Sequence, residues 1–345
     1  MEEQTISEIC HNHLSYDASI RESIILEGTA IAMAEESTRL LSQHVFYGDI
    51  FLTAGFTRFP ITPDHAIIEF HNTDFLTAKD CSTFIDIMIT TRRLALALST
   101  VSPTHRCALV FDGATRISLI PLHGLDKDWR PITHEAIEYH QSYPGYITSK
   151  SGPMLSDADL NATRKLITAV SGLTNQLDLT FLGPSSDQNL FARIIRGELQ
   201  SWKLWEDRSH VAFLTPFANT PGFTVLVPRT HFSSDILSLS DEEYSDLLCA
   251  AHKCANILIK AFSISQCGFI FEGYEVDYAH VKLIPIHQRH YNEDTSDQAS
   301  QPTEYHMTYN GYVTSQLGPP LGNLNTVLDA TDAMREALDA TKFFQ

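Results

Sequence analysis

Tyr278, His280 and Lys282 stand two apart within Gly273-Tyr-Glu-Val-Asp-Tyr-Ala-His-Val-Lys-Leu-Ile-Pro-Ile-His287, and the run Ala279 to Ile286 reads as a buried strand. Side chains two apart on a strand share a face. The pattern therefore sets an imidazole between a phenol and an ammonium on an otherwise apolar background. An imidazole can carry a proton or offer a lone pair near neutral pH, and an ammonium beside it can hold negative charge. Taken alone, a histidine in such a strand also reads as a hydrogen-bonded core residue. The rest of the chain has to separate these readings.

The chain repeats itself, and a repeat governs how everything else is read. Cys107-Ala-Leu-Val-Phe-Asp-Gly113 matches Cys267-Gly-Phe-Ile-Phe-Glu-Gly273, and Ser118-Leu-Ile-Pro-Leu-His123 matches Lys282-Leu-Ile-Pro-Ile-His287. Glu138-Tyr-His140 and Gly145-Tyr-Ile-Thr-Ser149 then match Glu304-Tyr-His306 and Gly311-Tyr-Val-Thr-Ser315. Collinear matches at nearly constant offset identify a tandem duplication. Between Gly113 and Pro121 the first copy lacks four residues that the second has between Gly273 and Pro285. The gap falls where the second copy carries Tyr278 and His280, and it leaves Arg116 opposite His280 and Ser118 opposite Lys282. The first copy is a degenerate partner. His287 and His306 are mirrored by His123 and His140 in that degenerate copy, which points to structural hydrogen bonds.

Each copy shows the same coarse plan. Strands are expected near Asp49–Leu52, Ala66–Phe70, Cys107–Phe111 and Arg116–Leu122, with a helix from about Ala78 to Leu98. The second copy has a short helix ended by Gly197, strands His210–Thr215 and Phe223–Pro228, and a capping box Ser240-Asp-Glu-Glu243 that opens a long amphipathic helix. Acidic loops 125–137 and 288–302 follow the cores, the second reading as mobile, and helical patterns close each copy at 157–170 and 326–338. The expected domains are an N-terminal helical segment over 1–44, a first unit over 45–172 and a second over 185–345. Both units are large enough for a core.

Net charge of −18 over 345 residues disfavours an extended nucleic-acid partner but permits a small anion in a pocket with local cations. No apolar run is long enough to span a membrane. The N-terminus Met-Glu-Glu-Gln-Thr is unlike a signal peptide, and six cysteines without CxxC pairs suit reduced thiols, so a cytoplasmic location is expected.

The second copy resembles the histidine triad (HIT) family of nucleotide hydrolases and transferases over Asn189 to His287. The resemblance is carried by Leu190-Phe-Ala-Arg-Ile-Ile-Arg-Gly-Glu-Leu with Trp205-Glu-Asp, by Ala212-Phe-Leu-Thr-Pro-Phe-Ala-Asn-Thr-Pro-Gly-Phe-Thr-Val-Leu-Val-Pro-Arg-Thr-His231, and by Ala279-His-Val-Lys-Leu-Ile-Pro. It implies an α+β fold of two HIT-like domains, each an antiparallel sheet with a long helix, joined as an intramolecular pseudo-dimer. It also implies catalysis by His280 through a nucleotidyl-histidine intermediate, with Lys282 and Tyr278 beside it. Substrate-binding residues would be Phe213, Thr215, Asn219, Arg229, His231 and Glu275.

The chain departs from the family at Tyr278 and Lys282, where the outer histidines of the triad would stand. It departs again at Thr215, where relatives place an acidic residue for ribose hydroxyls. Asn189 and Ala192 replace the cysteine pair of zinc-binding branches, so no metal or other cofactor is expected. The expected partner is a small nucleotide or dinucleotide, with no membrane, in a monomer acting as an internal pseudo-dimer or an oligomer of these. The alternatives are an eroded nucleotide-binding or scaffold protein and a sugar-nucleotide transferase.

Overall fold

The computed structural model describes residues 40–72, 81–288 and 303–340. The helices expected before residue 40, the helix start near Ala78 and most of loop 288–302 lie outside the described residues. The described residues from Ser42 onward belong to one compact unit.

The first copy contributes β1 (Val45–Gly48), β2 (Leu52–Phe56), β3 (Ala66–Phe70), helix α1 (Ser82–Val101), β4 (Cys107–Phe111) and β5 (Arg116–Pro121), followed by helix α2 (Asp157–Ser171). The second contributes α3 (Leu190–Ile195), β6 (Trp202–Glu206), β7 (His210–Leu214), β8 (Thr224–Pro228), α4 (Asp241–Phe262), β9 (Cys267–Phe271) and β10 (Val281–Pro285), followed by α5 (Asn325–Ala340). Among the described residues, ten strands make one antiparallel sheet in the order β1-β2-β3-β5-β4-β9-β10-β8-β7-β6. Read from either end, the order is the same with one copy exchanged for the other. The axis of this internal two-fold runs through the β4–β9 pair, where Val110 faces Ile270 and the Phe111 and Phe269 rings lie 5.5 Å apart. Every residue of β4 and β9 is buried. Both faces of the sheet are covered there, which is why these strands read as unbroken apolar runs.

Local signals explain the elements. The capping box forms as expected, with Glu243 N donating to Ser240 Oγ at 3.2 Å and Ser240 N donating to Glu243 Oε2 at 2.9 Å. Such a cap is worth about 1 kcal/mol. Helix α4 buries Tyr244, Leu247, Leu248, Ala251, Ala255 and Leu258 along one side. Helix α1 runs three residues past the expected Leu98 and stops where Ser102, preceding Pro103, turns extended. The strand expected at Asp49–Leu52 is instead a turn between β1 and β2. The Asp49 carboxylate accepts from the backbone of Phe51 at 2.7 Å and of Leu52 at 2.9 Å, which closes the turn in place of strand pairing.

The terminal extensions cross over. Helix α2, at the end of the first copy, packs on α4 and β6 of the second, and α5 packs on α1 and β1 of the first. The Gly-Tyr-(Ile/Val)-Thr-Ser segments meet on the two-fold axis. Thr148 bridges Thr314, Ser149 N donates to Val313 O at 2.9 Å, and Ser315 N donates to Ile147 O at 3.0 Å. The expected units 45–172 and 185–345 follow chain order, whereas packing hands each extension to the opposite copy. His123 and His287 hold equivalent places, bonded through Nε2 to Pro63 O at 3.0 Å and to Pro221 O at 2.8 Å. Those bonds match the structural role expected of this pair. Among the described residues no helix is long and apolar enough to cross a membrane.

Candidate active site

A bend from Gly273 to His280 precedes β10, and it decides which side chains reach the site. Gly273 adopts φ 78°, and an added Cβ would overlap the Ser234 carbonyl. Tyr278 N donates to Val276 O, two residues back, so the chain is not extended there and the alternation of β10 does not reach Tyr278. This corrects the expected shared face. The Tyr278 hydroxyl donates to Pro228 O at 2.7 Å, and its ring stacks on His231 at 4.5 Å. It is fully buried packing, away from the cavity.

His280 follows the bend and is 4 % exposed. Its Nδ1 lies 2.7 Å from Tyr278 O. A carbonyl only accepts, so Nδ1 carries the proton and Nε2 keeps the lone pair of the neutral ring. Burial, and then the Lys282 ammonium, push its pKa down to about 4 against the opposing effects of the carbonyl bond and Glu275. Lys282 Nζ lies 3.2 Å from Glu272 Oε2, 3.1 Å from Glu275 Oε2 and 3.4 Å from Ser149 O. Burial works against its charge, but Glu272 and Glu275 outweigh burial and raise its pKa. In return the Lys282 ammonium holds Glu275 below the usual carboxylate range. Tyr309, from the second extension, donates to Glu272 Oε1 at 2.5 Å.

His280, Lys282 and Glu275 line a cavity of about 270 Å³ together with Phe213 and Thr215. Its apolar wall comes from α3 and the start of β6, through Leu190, Phe191, Ile194 and Trp202. Ser149, Lys150 and Ser151 of the first extension complete it. Sequence reasoning missed these three, because the repeat marks the segment without saying which copy it docks on.

Three expected ligand contacts lie elsewhere. Arg229 is fully buried, and its guanidinium donates to the carbonyls of Asp207, Asp178 and Thr180 at 2.9–3.1 Å and to Glu206 Oε2 at 3.0 Å. It fastens the chain leading into the second copy. Removing it leaves the Glu206 carboxylate, 11 % exposed, without its buried partner and frees three carbonyls, so Arg229→Met is expected to lower unfolding free energy by about 3 kcal/mol, read as a urea-midpoint shift with nucleotide affinity unchanged. His231 lies between Asp187 Oδ2 at 2.7 Å and Asp277 O at 2.8 Å. Asn219 Nδ2 donates to Thr148 O at 2.9 Å and Lys150 O at 2.8 Å, holding the cavity wall from behind. Among the described residues no group of three or more His, Cys, Asp or Glu could hold a metal ion.

The degenerate copy shows how its histidine was lost. Asp112 Oδ1 accepts from the backbone of Ala114, Thr115 and Arg116 at 2.9–3.0 Å, a tight turn in place of the long bend. Arg116 then reaches Ser315 O at 3.4 Å, mirroring Lys282 on Ser149 O.

No family model matches the chain. An uncharacterised HIT-like protein of Borreliella burgdorferi is 32% identical over 103 residues, 28% of this chain and 73% of the relative. The adenosine 5'-monophosphoramidase of Saccharomyces cerevisiae is 28% identical over 97 residues, 28% of this chain and 61% of the relative. Among solved structures, a GalT-like protein of Arabidopsis thaliana is 10% identical with a TM-score of 0.39, covering 83% of each chain. The sequence match, the mirrored halves of the sheet and the histidine heading the last strand agree: this chain belongs to the HIT-like family, as a tandem duplication whose first copy is degenerate.

Proposed function

We propose that this chain is a HIT-type nucleotide-phosphate hydrolase or nucleotidyl transferase that works through a nucleotidyl-histidine intermediate on His280. The observation that carries the reading is the hydrogen bond from Nδ1–H of His280 to Tyr278 O, which directs the lone pair to Nε2 in a residue lining the cavity. The yeast relative's activity on an adenosine monophosphoramidate supports the substrate class.

In the first step Nε2 attacks the α-phosphorus. A P–N bond forms, the bond to the leaving group breaks, and that group departs with the bonding electrons and takes a proton from water. In the second step water or another acceptor attacks phosphorus, the P–N electrons return to Nε2, and the acceptor's proton passes to solvent.

Because the attacking ring is neutral well below pH 7, turnover is expected to stay level from about pH 8 to 5 and to fall as pH approaches about 4. The same shift affects stability. The unfolded imidazole protonates near 6.5 and the folded one near 4, so the unfolded state binds more protons between these values. Stability is constant above about pH 7, is lost as pH falls from 6.5 through 4, and levels off below that. Urea midpoints at pH 7 and pH 5 for the wild type and His280→Asn check this, the variant losing less.

A second reading, nucleotide binding without turnover, draws on the two carboxylates that neutralise Lys282. Turnover of nucleoside phosphoramidates and dinucleoside polyphosphates, followed with calorimetric binding of the same compounds, separates the two. Release of nucleoside monophosphate supports catalysis. Binding with no product across the panel overturns it in favour of the second reading.

A further inference from the structure

The two copies of the Gly-Tyr-(Ile/Val)-Thr-Ser segment diverge immediately after the serine. The first continues Lys150-Ser151 and the second Gln316-Leu317. Because the extensions cross over, the version with the lysine lines the cavity of His280, while the other belongs to the copy without that histidine. The cation and the histidine therefore occur at the same site although they come from different copies.

Charge gives the lysine a task. His280 is neutral at pH 7, and Lys282 lies between Glu272 and Glu275, so these four residues carry one excess negative charge. A phosphate beside His280 would be repelled unless another cation met it. Lys150 is the other cation among the lining residues. Its backbone is held firmly, with Asn219 Nδ2 on the carbonyls of Thr148 and Lys150 and Lys282 Nζ on Ser149 O. Its ammonium rests 3.3 Å from Glu138 Oε2 and 4.1 Å from the centre of the Tyr312 ring.

We propose that Ser149-Lys150-Ser151 is the phosphate cradle of the His280 site. Lys150 supplies, from the first copy, the positive charge that Lys282 cannot, and Glu138 holds that ammonium until phosphate displaces it. This rests on the nucleotide reading and deepens it: the site selects phosphorylated nucleosides over nucleosides, through a side chain of the copy that has lost its own histidine.

The test compares Lys150→Gln, Lys150→Arg and Glu138→Gln with the wild type, by calorimetry with adenosine, AMP and ADP and with the uridine series. Lys150→Gln places in the first copy the residue that the second already carries, and circular dichroism checks its fold. It is expected to weaken AMP and ADP binding about 10- to 100-fold, as for a lost charge-assisted hydrogen bond, while adenosine or uridine affinity stays unchanged. Lys150→Arg is expected to restore most of the loss, and Glu138→Gln to tighten nucleotide binding. Equal losses for nucleoside and nucleotide, or a weakening in Glu138→Gln like that in Lys150→Gln, would make the lysine a structural ion-pair partner and overturn the proposal. If the wild type binds nucleotides and Lys150→Gln binds them unchanged, the cradle alone fails. If the wild type binds none of them, the nucleotide reading fails and the cradle with it.

Discussion

Replacing His280 with alanine is expected to lower kcat/KM on nucleoside phosphoramidates by about 10⁴-fold or more, the scale seen when a covalent nucleophile is removed. The size follows from the site's construction. Tyr278 is committed to Pro228 O and Lys282 to two carboxylates, so neither offers a substitute lone pair. The fold should survive, because His280 makes one side-chain bond, to a carbonyl of its own bend, whose net worth is about 1 kcal/mol. The histidines at His123 and His287 provide the contrast. Each bonds a proline carbonyl outside the cavity, so alanine there should cost stability by a similar amount and leave turnover intact. Urea unfolding run beside the kinetic assay distinguishes the two kinds of histidine.

Gly152→Ala should be one of the two most damaging added methyls among the described glycines, with a loss of more than about 4 kcal/mol. An alanine Cβ there would overlap the Ala218 carbonyl, and Gly152 N already donates to Phe217 O at 2.7 Å. Backbone lies against backbone, so no side chain can move aside. The segment would have to lift away, taking Ser149 to Ser151 out of the cavity, and nucleotide binding should fall with stability. Gly318 holds the equivalent place against the Pro60 carbonyl, and Gly318→Ala should destabilise comparably while leaving the His280 cavity lined. Gly322 has nothing within 4 Å of an added Cβ, so Gly322→Ala should stay within about 0.5 kcal/mol of the wild type. Urea midpoints for the three variants give the ranking.

The sequence carried the duplication because the β4–β5 and β9–β10 regions and the Gly-Tyr-(Ile/Val)-Thr-Ser segments kept their residues. It carried α4 because Ser240 and Glu243 sit at capping-box spacing ahead of a helical apolar stripe. The exchange of extensions was not legible. Self-similarity shows that Ile147 and Val313 are equivalent, yet both copies present similar surfaces, and pattern alone does not say which one a segment returns to. Strand alternation extended back from β10 places Tyr278 in the site only by running through residues that form a bend. Arg229 reads as substrate-binding because the carbonyls that occupy it, at Asp178, Thr180 and Asp207, leave no mark in side-chain pattern. In the sequence Lys282 reads as an available cation, since Glu272 and Glu275 reach it only once the bend folds back. In each case the missing information was a backbone path or a backbone acceptor.

A nucleotidyl-histidine mechanism requires that His280 become covalently nucleotidylated. Intact-mass spectrometry after brief mixing with nucleoside phosphoramidates and dinucleoside polyphosphates, quenched in base to preserve a P–N bond, tests it most directly. A mass increment of one nucleotidyl group is expected on the wild-type chain and none on His280→Ala. An adduct that persists in His280→Ala, or turnover by the wild type with no adduct at any mixing time, would contradict it.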